Sequence, residues 1–132
     1  KWPGKIPAGA TSDEFLTSLE ILPTLCAATG AAPPKGVALD GFDMLSVLQG
    51  KRASPRAEMF WQRKLDKAAR VGHWKWVESS RGNGLFDLRH DIDERRDLSK
   101  ERPEILERVQ ARFANWKKQM QAAEPRGPFR DF

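Results

Sequence analysis

Ile105, Leu106, Val109, Phe113, Trp116 and Met120 follow one another at steps of one, three, four, three and four, the spacing that lays apolar side chains along one side of an α-helix. A strand could not gather this set on one face, because strand side chains alternate with a period of two. The ends of the segment agree with the spacing. Pro103 suits a first helical position, Glu104 and Glu107 stand near the positive end of the helix dipole, and Lys117 and Lys118 lie near its negative end. The sequence therefore predicts a helix over 103–122. Such a stripe needs an apolar surface to pack on.

That surface is predicted upstream. Met59-Phe60-Trp61 is a short apolar run that suits a strand, and Ala68-Ala69-Arg70-Val71 and Trp74-Lys75-Trp76-Val77 flank Gly72-His73, which reads as a two-residue hairpin turn. If Val71 faces Trp74, then Ala69 faces Trp76; these four share one face, while Arg70 and Lys75 share the other. Leu85 to Leu88, after a Gly82-Asn83-Gly84 turn, reads as a further strand. Toward the start, residues 1–11 hold two Pro and two Gly and should be loop. Ile21, Leu22, Leu25 and Ala28 predict a helix over 19–29, capped by Ser18 and stopped by Gly30. Residues 31–41 return to loop, and Asp43 to Leu48 form a helical turn ended by Gly50.

The predicted fold is α+β: a small antiparallel sheet packed against a long C-terminal helix, with shorter N-terminal helices and loops. We expect one domain over 1–132, with a loop and helical lead-in over 1–58, strands over 59–88, the helix over 103–122 and an irregular tail over 123–132. A 39% hydrophobic fraction with five Trp and seven Phe argues against disorder. The formal net charge of +5 invites an anionic partner, but 18 acids are interspersed among the 23 bases without a like-charge tract. The hairpin register puts Trp and Arg/Lys on opposite faces, which counts against nucleic acid. No apolar run is long enough to cross a bilayer, and no signal peptide is visible.

Candidate chemical groups are few. Cys26 stands alone on an apolar helix face, so it forms no internal disulfide and reads as a buried small hydrophobe. His73 and His90 could transfer protons near neutrality, yet neither has a nucleophile beside it, and a turn histidine is expected to be solvated. Asp87, Asp91, Asp93 and Glu94 lack the spacing of a calcium loop and read as turn chemistry. Trp61, Trp74 and Trp76 could form a stacking platform for sugar or aryl rings; sharing a face with Val71 makes Trp74 and Trp76 core. No catalytic residue and no metal ligand is assigned. The one candidate surface is basic: Arg63, Lys64, Arg70 and Lys75, with His73, as a rim drawing an anionic substrate.

Several stretches, taken in order, resemble the carboxy-terminal third of arylsulfatase-type sulfatases. Trp2-Pro3-Gly4-Lys5-Ile6-Pro7-Ala8-Gly9 resembles the family's W-P-G-x-I-x-x-G loop, and Ile21-Leu22-Pro23-Thr24-Leu25 its L-P-T-L helix. Leu39-Asp40-Gly41-Phe42-Asp43, with Leu48 and Gly50, is similar to its L-D-G-x-D-L-x-x-L-x-G turn. Arg70-Val71-Gly72-His73-Trp74-Lys75 resembles its R-x-G-x-W-K hairpin. Leu85-Phe86-Asp87-Leu88 and Asp97-Leu98 resemble L-Y-D-L-x-x-D-P-x-E-x-x-N-L, with Phe86 for Tyr, Ile92 for Pro and Asp97 for Asn.

The resemblance implies a parent that hydrolyses sulfate esters on an alkaline phosphatase-like fold. It also implies a formylglycine made from Cys or Ser in a C-x-P-x-R motif, and a calcium ion. Cys26 is followed by Ala27, Ala28 and Thr29 and does not fit that motif, so nucleophile, calcium and the last catalytic Lys are expected upstream, beyond Lys1. The chain alone is then expected to be inactive and to need no cofactor. Its partners would be the missing N-terminal catalytic domain and a sulfated small molecule or saccharide, with no nucleic acid and no membrane. The parent would be periplasmic or secreted, and the excised piece would self-associate. Two other readings stay open: a non-catalytic binding module of the same fold, and a piece of a phosphonate or phosphodiester hydrolase.

Overall fold

The computed structural model describes residues 2–123. The tail expected to be irregular, residues 124–132, lies outside the described residues. The chain divides after Ala57 into two compact units.

The first unit holds a 3-10 turn at Ser18–Glu20, the helix α1 at Ile21–Thr29 and a single helical turn, α2, at Leu45–Leu48. Thr17, not Ser18, is the cap. Its Oγ1 accepts from the Leu19 N–H at 3.3 Å, and the Glu20 carboxylate accepts the Thr17 N–H at 2.5 Å. This reciprocal pair needs an acid three residues after the cap, a place that Glu20 fills for Thr17 and Ile21 would hold for Ser18. Gly30, at φ 73°, ends α1 in the left-handed region as its position predicts.

Charge organises this unit. Glu20 is 3% and Arg56 8% exposed, and they form a salt bridge. Arg56 Nε donates to Glu20 Oε1 at 2.6 Å, Arg56 Nη2 donates to the Asp40 carbonyl at 2.9 Å, and the guanidinium sits 5.0 Å over the Phe42 ring. Burial raises the Glu20 pKa, but the bonds from Thr17 and Arg56 outweigh it and hold the carboxyl below its ordinary range. Gly41 is required here, because a Cβ on it would lie 1.9 Å from the Leu19 carbonyl oxygen. The apolar side of α1 does not behave as expected. Ile21, Leu22 and Leu25 are exposed, α1 has no buried residue, and Cys26 is only half-buried. What ties α1 to the rest of the unit is polar: Thr24 Oγ1 accepts the N–H of the buried Met44 at 3.0 Å.

The second unit is a four-stranded antiparallel meander, β1 (Glu58–Arg63), β2 (Asp66–Val71), β3 (Trp74–Ser79) and β4 (Gly82–Asp87), followed by the helix α3 (Pro103–Ala122). Val71 pairs with Trp74, Arg70 with Lys75 and Ala69 with Trp76, the predicted register. The β3–β4 turn is Ser80-Arg81 rather than Gly82-Asn83-Gly84, which is strand. Gly84 is there for packing: a Cβ would fall 2.7 Å from the Phe86 ring and 3.0 Å from the Asp97 carboxyl carbon.

Ala69, Trp76 and Leu85 present one sheet face to Val109 and Phe113 of α3, with Phe60, Ile105, Leu106 and Trp116 packed around them. Phe113 meets Trp76 edge-on at 5.4 Å between centroids, and Phe60 stacks on Trp116 at 5.5 Å. Met120, expected to complete the stripe, is 51% exposed, because the packed cluster ends at Trp116. Phe113→Ala should therefore cost about 3–5 kcal/mol, and Met120→Ala far less. Equal denaturation midpoints for the two variants would show that α3 does not dock through Phe113.

Candidate functional site

Strand alternation decides which side chains of the β2–β3 hairpin are free to meet a ligand. With Ala69 and Trp76 turned to α3, Arg70 and Lys75 project from the opposite face, side by side. Like charges so placed repel, and the structure answers each separately. Lys75 forms an ion pair with Glu94, and Arg70 Nε donates to the Gly72 carbonyl at 2.9 Å. Burial lowers the Arg70 pKa, though a guanidinium remains charged near neutrality. His73 shares the turn with Gly72, at the same end of the hairpin. Arg63 and Lys64 lie elsewhere: Arg63 ends β1 and Lys64 begins the β1–β2 turn, at the other end of β2. The structure thus brings Arg70, Lys75 and His73 together and sets Arg63 and Lys64 apart, one strand length away.

Around the Gly72-His73 turn the charges are coupled. His73 Nε2 is 3.9 Å from Asp87 Oδ1, and its Nδ1 is 3.4 Å from Arg89 Nη2; His90 Nδ1 is 3.1 Å from Asp87 Oδ2. A guanidinium only donates, so the Arg89 contact is a hydrogen bond when His73 Nδ1 carries no proton. Burial raises the Asp87 pKa, but the His90 and Arg89 N–H bonds and the two nearby histidines outweigh it, and the carboxyl sits below its ordinary value.

The acidic residues downstream act as turn chemistry. Asp91 accepts the Arg95 and Arg96 N–H groups at 3.0 and 2.8 Å, and Asp93 pairs with Arg95 at 3.0 Å. Asp97 accepts from the Leu85 N–H at 2.9 Å and from Ser99, so it ties the 88–102 connection to β4. The N–H bonds hold Asp91, and the Ser99 and Leu85 bonds hold Asp97, below the ordinary carboxylate range. Among the described residues, no three His, Cys, Asp or Glu side chains are gathered as a metal would need. This arrangement can bind and orient an anion through its cations; it offers no placed nucleophile with a base beside it. Sequence reasoning read Glu94 as turn chemistry and missed its pairing with Lys75, and it missed the bond from Asp97 to the Leu85 N–H. Glu94 lies 19 positions from Lys75 and carries no local signal, whereas Asp97-Leu98-Ser99 has the Asx-turn pattern that could have drawn notice.

No protein-family model matches the chain. It is 48% identical to human arylsulfatase A over 60 residues, which are 46% of this chain and 11% of that protein. It is 29% identical to dog N-acetylgalactosamine-6-sulfatase over 92 residues, 70% of this chain and 18% of the relative. The crystal structure of Ps i-CgsB superposes with a TM-score of 0.74 at 26% identity, covering 87% of this chain and 27% of that one. The same protein is solved in complex with k-i-k-neocarrahexaose. The chain spans about a tenth to a fifth of the length of the curated relatives it matches.

The depressed carboxyls set a pH dependence. A carboxylate whose folded pKa lies below its unfolded value of about 3.9 stabilises the fold above that value and stops doing so as pH falls through the folded one. For Asp87, Asp91 and Asp97, denaturation midpoints should hold from pH 7 to about 5 and drop below about 4. Asp97→Asn keeps an acceptor for the Leu85 N–H but cannot ionise, so its acid-side decline should be shallower. Superimposable acid profiles would show that the Asp97 charge contributes nothing.

Proposed function

We propose that the chain belongs to the sulfatase family and is the carboxy-terminal subdomain of a sulfuric ester hydrolase whose reaction centre lies in a preceding catalytic domain. One observation supports this most: the motifs that resemble the family in sequence occur in order, and the Arg70 to Lys75 stretch takes the hairpin form in a sheet-plus-helix fold shared with a solved relative.

The residues present do not fit the groups that such chemistry uses. Calcium would need several free oxygen ligands. Asp87, Asp91, Asp93, Glu94 and Asp97 are each bound to an N–H or a cation of this chain. Cys26 lacks the flanking Pro and Arg of the formylglycine motif. No step of the reaction is therefore assigned to this chain; calcium and formylglycine belong to the catalytic domain in this reading.

What the chain supplies is scaffold and rim. The exposed Ile21, Leu22, Leu25, Val37 and Phe42 of the first unit would pack on the catalytic domain, and left uncovered would favour self-association. Arg70, Lys75 and His73 would form one part of a basic rim, Arg63 and Lys64 another, drawing a sulfated small molecule or saccharide. A periplasmic, secreted or lysosomal setting suits the same reading.

Two measurements test it. A longer protein that includes the upstream coding sequence should hydrolyse an aryl sulfate, while the 132-residue chain with calcium should not exceed a buffer blank. In the longer protein, Arg70→Gln with Lys75→Gln should lower kcat/KM for a charged oligosaccharide at low salt, leave kcat unchanged and converge with the parent at high salt. No aryl sulfate turnover by the longer protein would overturn the hydrolase reading. A double variant that matches the parent at low ionic strength would remove Arg70 and Lys75 from the rim.

A further inference from the structure

The β1–β2 end of the sheet has what the other basic cluster lacks, an uncommitted cation beside an uncovered ring. Phe60 pairs with Ala69 and turns to α3, so Trp61 and Arg63, its alternates, project from the far face of β1. Trp61 is 42% exposed. Trp74, Trp76 and Trp116 each meet another ring, whereas Trp61 meets none among the described residues.

Lys67 is held by Glu78 at 2.6 Å, and Asp66, which pairs across the strands with Arg63, accepts the Ser80 N–H through Oδ1 at 3.2 Å. Arg63 is exposed and has no ion pair or side-chain hydrogen bond among the described residues. Lys64, also exposed, adds a second positive charge at the turn, where its φ is 54°. An open groove of about 510 Å³ at this end takes in Trp61, Arg63, Ala68 and Val77 of this face and also Phe60 and Trp116 of the other.

We propose that this end of the β1–β2 hairpin is a binding surface for a sulfated saccharide, with the Trp61 indole under a sugar ring and the Arg63 guanidinium on a sulfate. The ligand class rests on the sulfuric-ester reading above; the geometry is independent of it. The aliphatic face of a pyranose packs on an exposed indole, which is apolar and rigid. A sulfate half-ester carries one negative charge spread over oxygens that accept a guanidinium's two parallel N–H groups. Residues two apart on a strand lie roughly 6–7 Å from each other on one face, the reach from a sugar ring to a sulfate on the ring or its neighbour. On the same face Lys75 lies opposite the buried Phe86 and already has Glu94, and Arg70 is held by the Gly72 carbonyl.

The test is binding to the 132-residue chain, followed by the tryptophan indole N–H signals in a 15N spectrum. The probes are a heparin-derived hexasaccharide and an unsulfated hyaluronan hexasaccharide. The heparin probe should shift the signal that Trp61→Phe removes and should bind more tightly than hyaluronan. Arg63→Gln and Trp61→Ala should each weaken it about tenfold. Trp61→Phe should retain most of the affinity, which separates a lost ring from a disturbed strand, and Lys118→Gln, at an exposed cation of α3 outside the rim, should leave it unchanged.

Equal affinities for parent, Arg63→Gln and Trp61→Ala would overturn the inference and leave only general attraction of polyanions to a basic protein. So would equal affinity for the two saccharides. Aryl sulfate hydrolysis by the longer protein tests the other reading separately. Turnover without saccharide binding overturns this inference alone, and binding without turnover overturns the hydrolase reading alone.

Discussion

The pairing of Ala69 with Trp76 across the hairpin is the contact on which the second unit depends. Ala69 is wholly buried and Trp76 nearly so, a small residue opposite a large one, and the space left above Ala69 lets the α3 aromatics come down onto the sheet. A slip of one residue would turn Arg70 and Lys75 into that core and expel Trp76. Gly72, at φ 60°, permits the tight turn that forbids the slip. The chemistry of the outer face is therefore a consequence of the inner one: cations project outward because their neighbours in sequence are the core.

Elsewhere, carboxylates do what an apolar core does for the sheet. Asp97 clasps the edge of β4 through the Leu85 N–H, and Asp91 closes the turn before it. Glu94 crosses to Lys75. In the first unit, the buried Glu20–Arg56 pair gathers the Thr17 cap, the Asp40 carbonyl and the Phe42 ring. A buried pair of this kind adds little net stability against an apolar replacement, but losing one partner leaves an uncompensated buried charge. In both units these carboxylates serve architecture.

The two basic ends of the hairpins illustrate how context separates residues of the same type. Arg70 and Lys75 are half-buried and occupied by Gly72 and Glu94, whereas Arg63 stands exposed beside an exposed Trp61. As cations in a sequence they are equivalent. Only pairing and burial leave one set held by its own scaffold and Arg63 open to solvent.

Periodicity by itself determined most of the second unit. The α3 stripe gave helix bounds matching Pro103–Ala122, and the Gly72 turn with alternating residues gave the β2–β3 register, because both signals are local and repeat over several residues. The ordered motifs also pointed to the family. Decisions made by residues distant in sequence were not legible. Gly84 read as a turn because the Phe86 ring and Asp97 that exclude its Cβ come together only in the folded chain. The apolar face of α1 read as core although nothing in its own unit covers it. Lys75 and Arg63 looked alike until Glu94, 19 residues beyond Lys75, came to rest against one of them. Local spacing specifies which face a side chain takes; what waits on that face is a matter of loop closure over tens of residues, which leaves no periodic trace in the sequence.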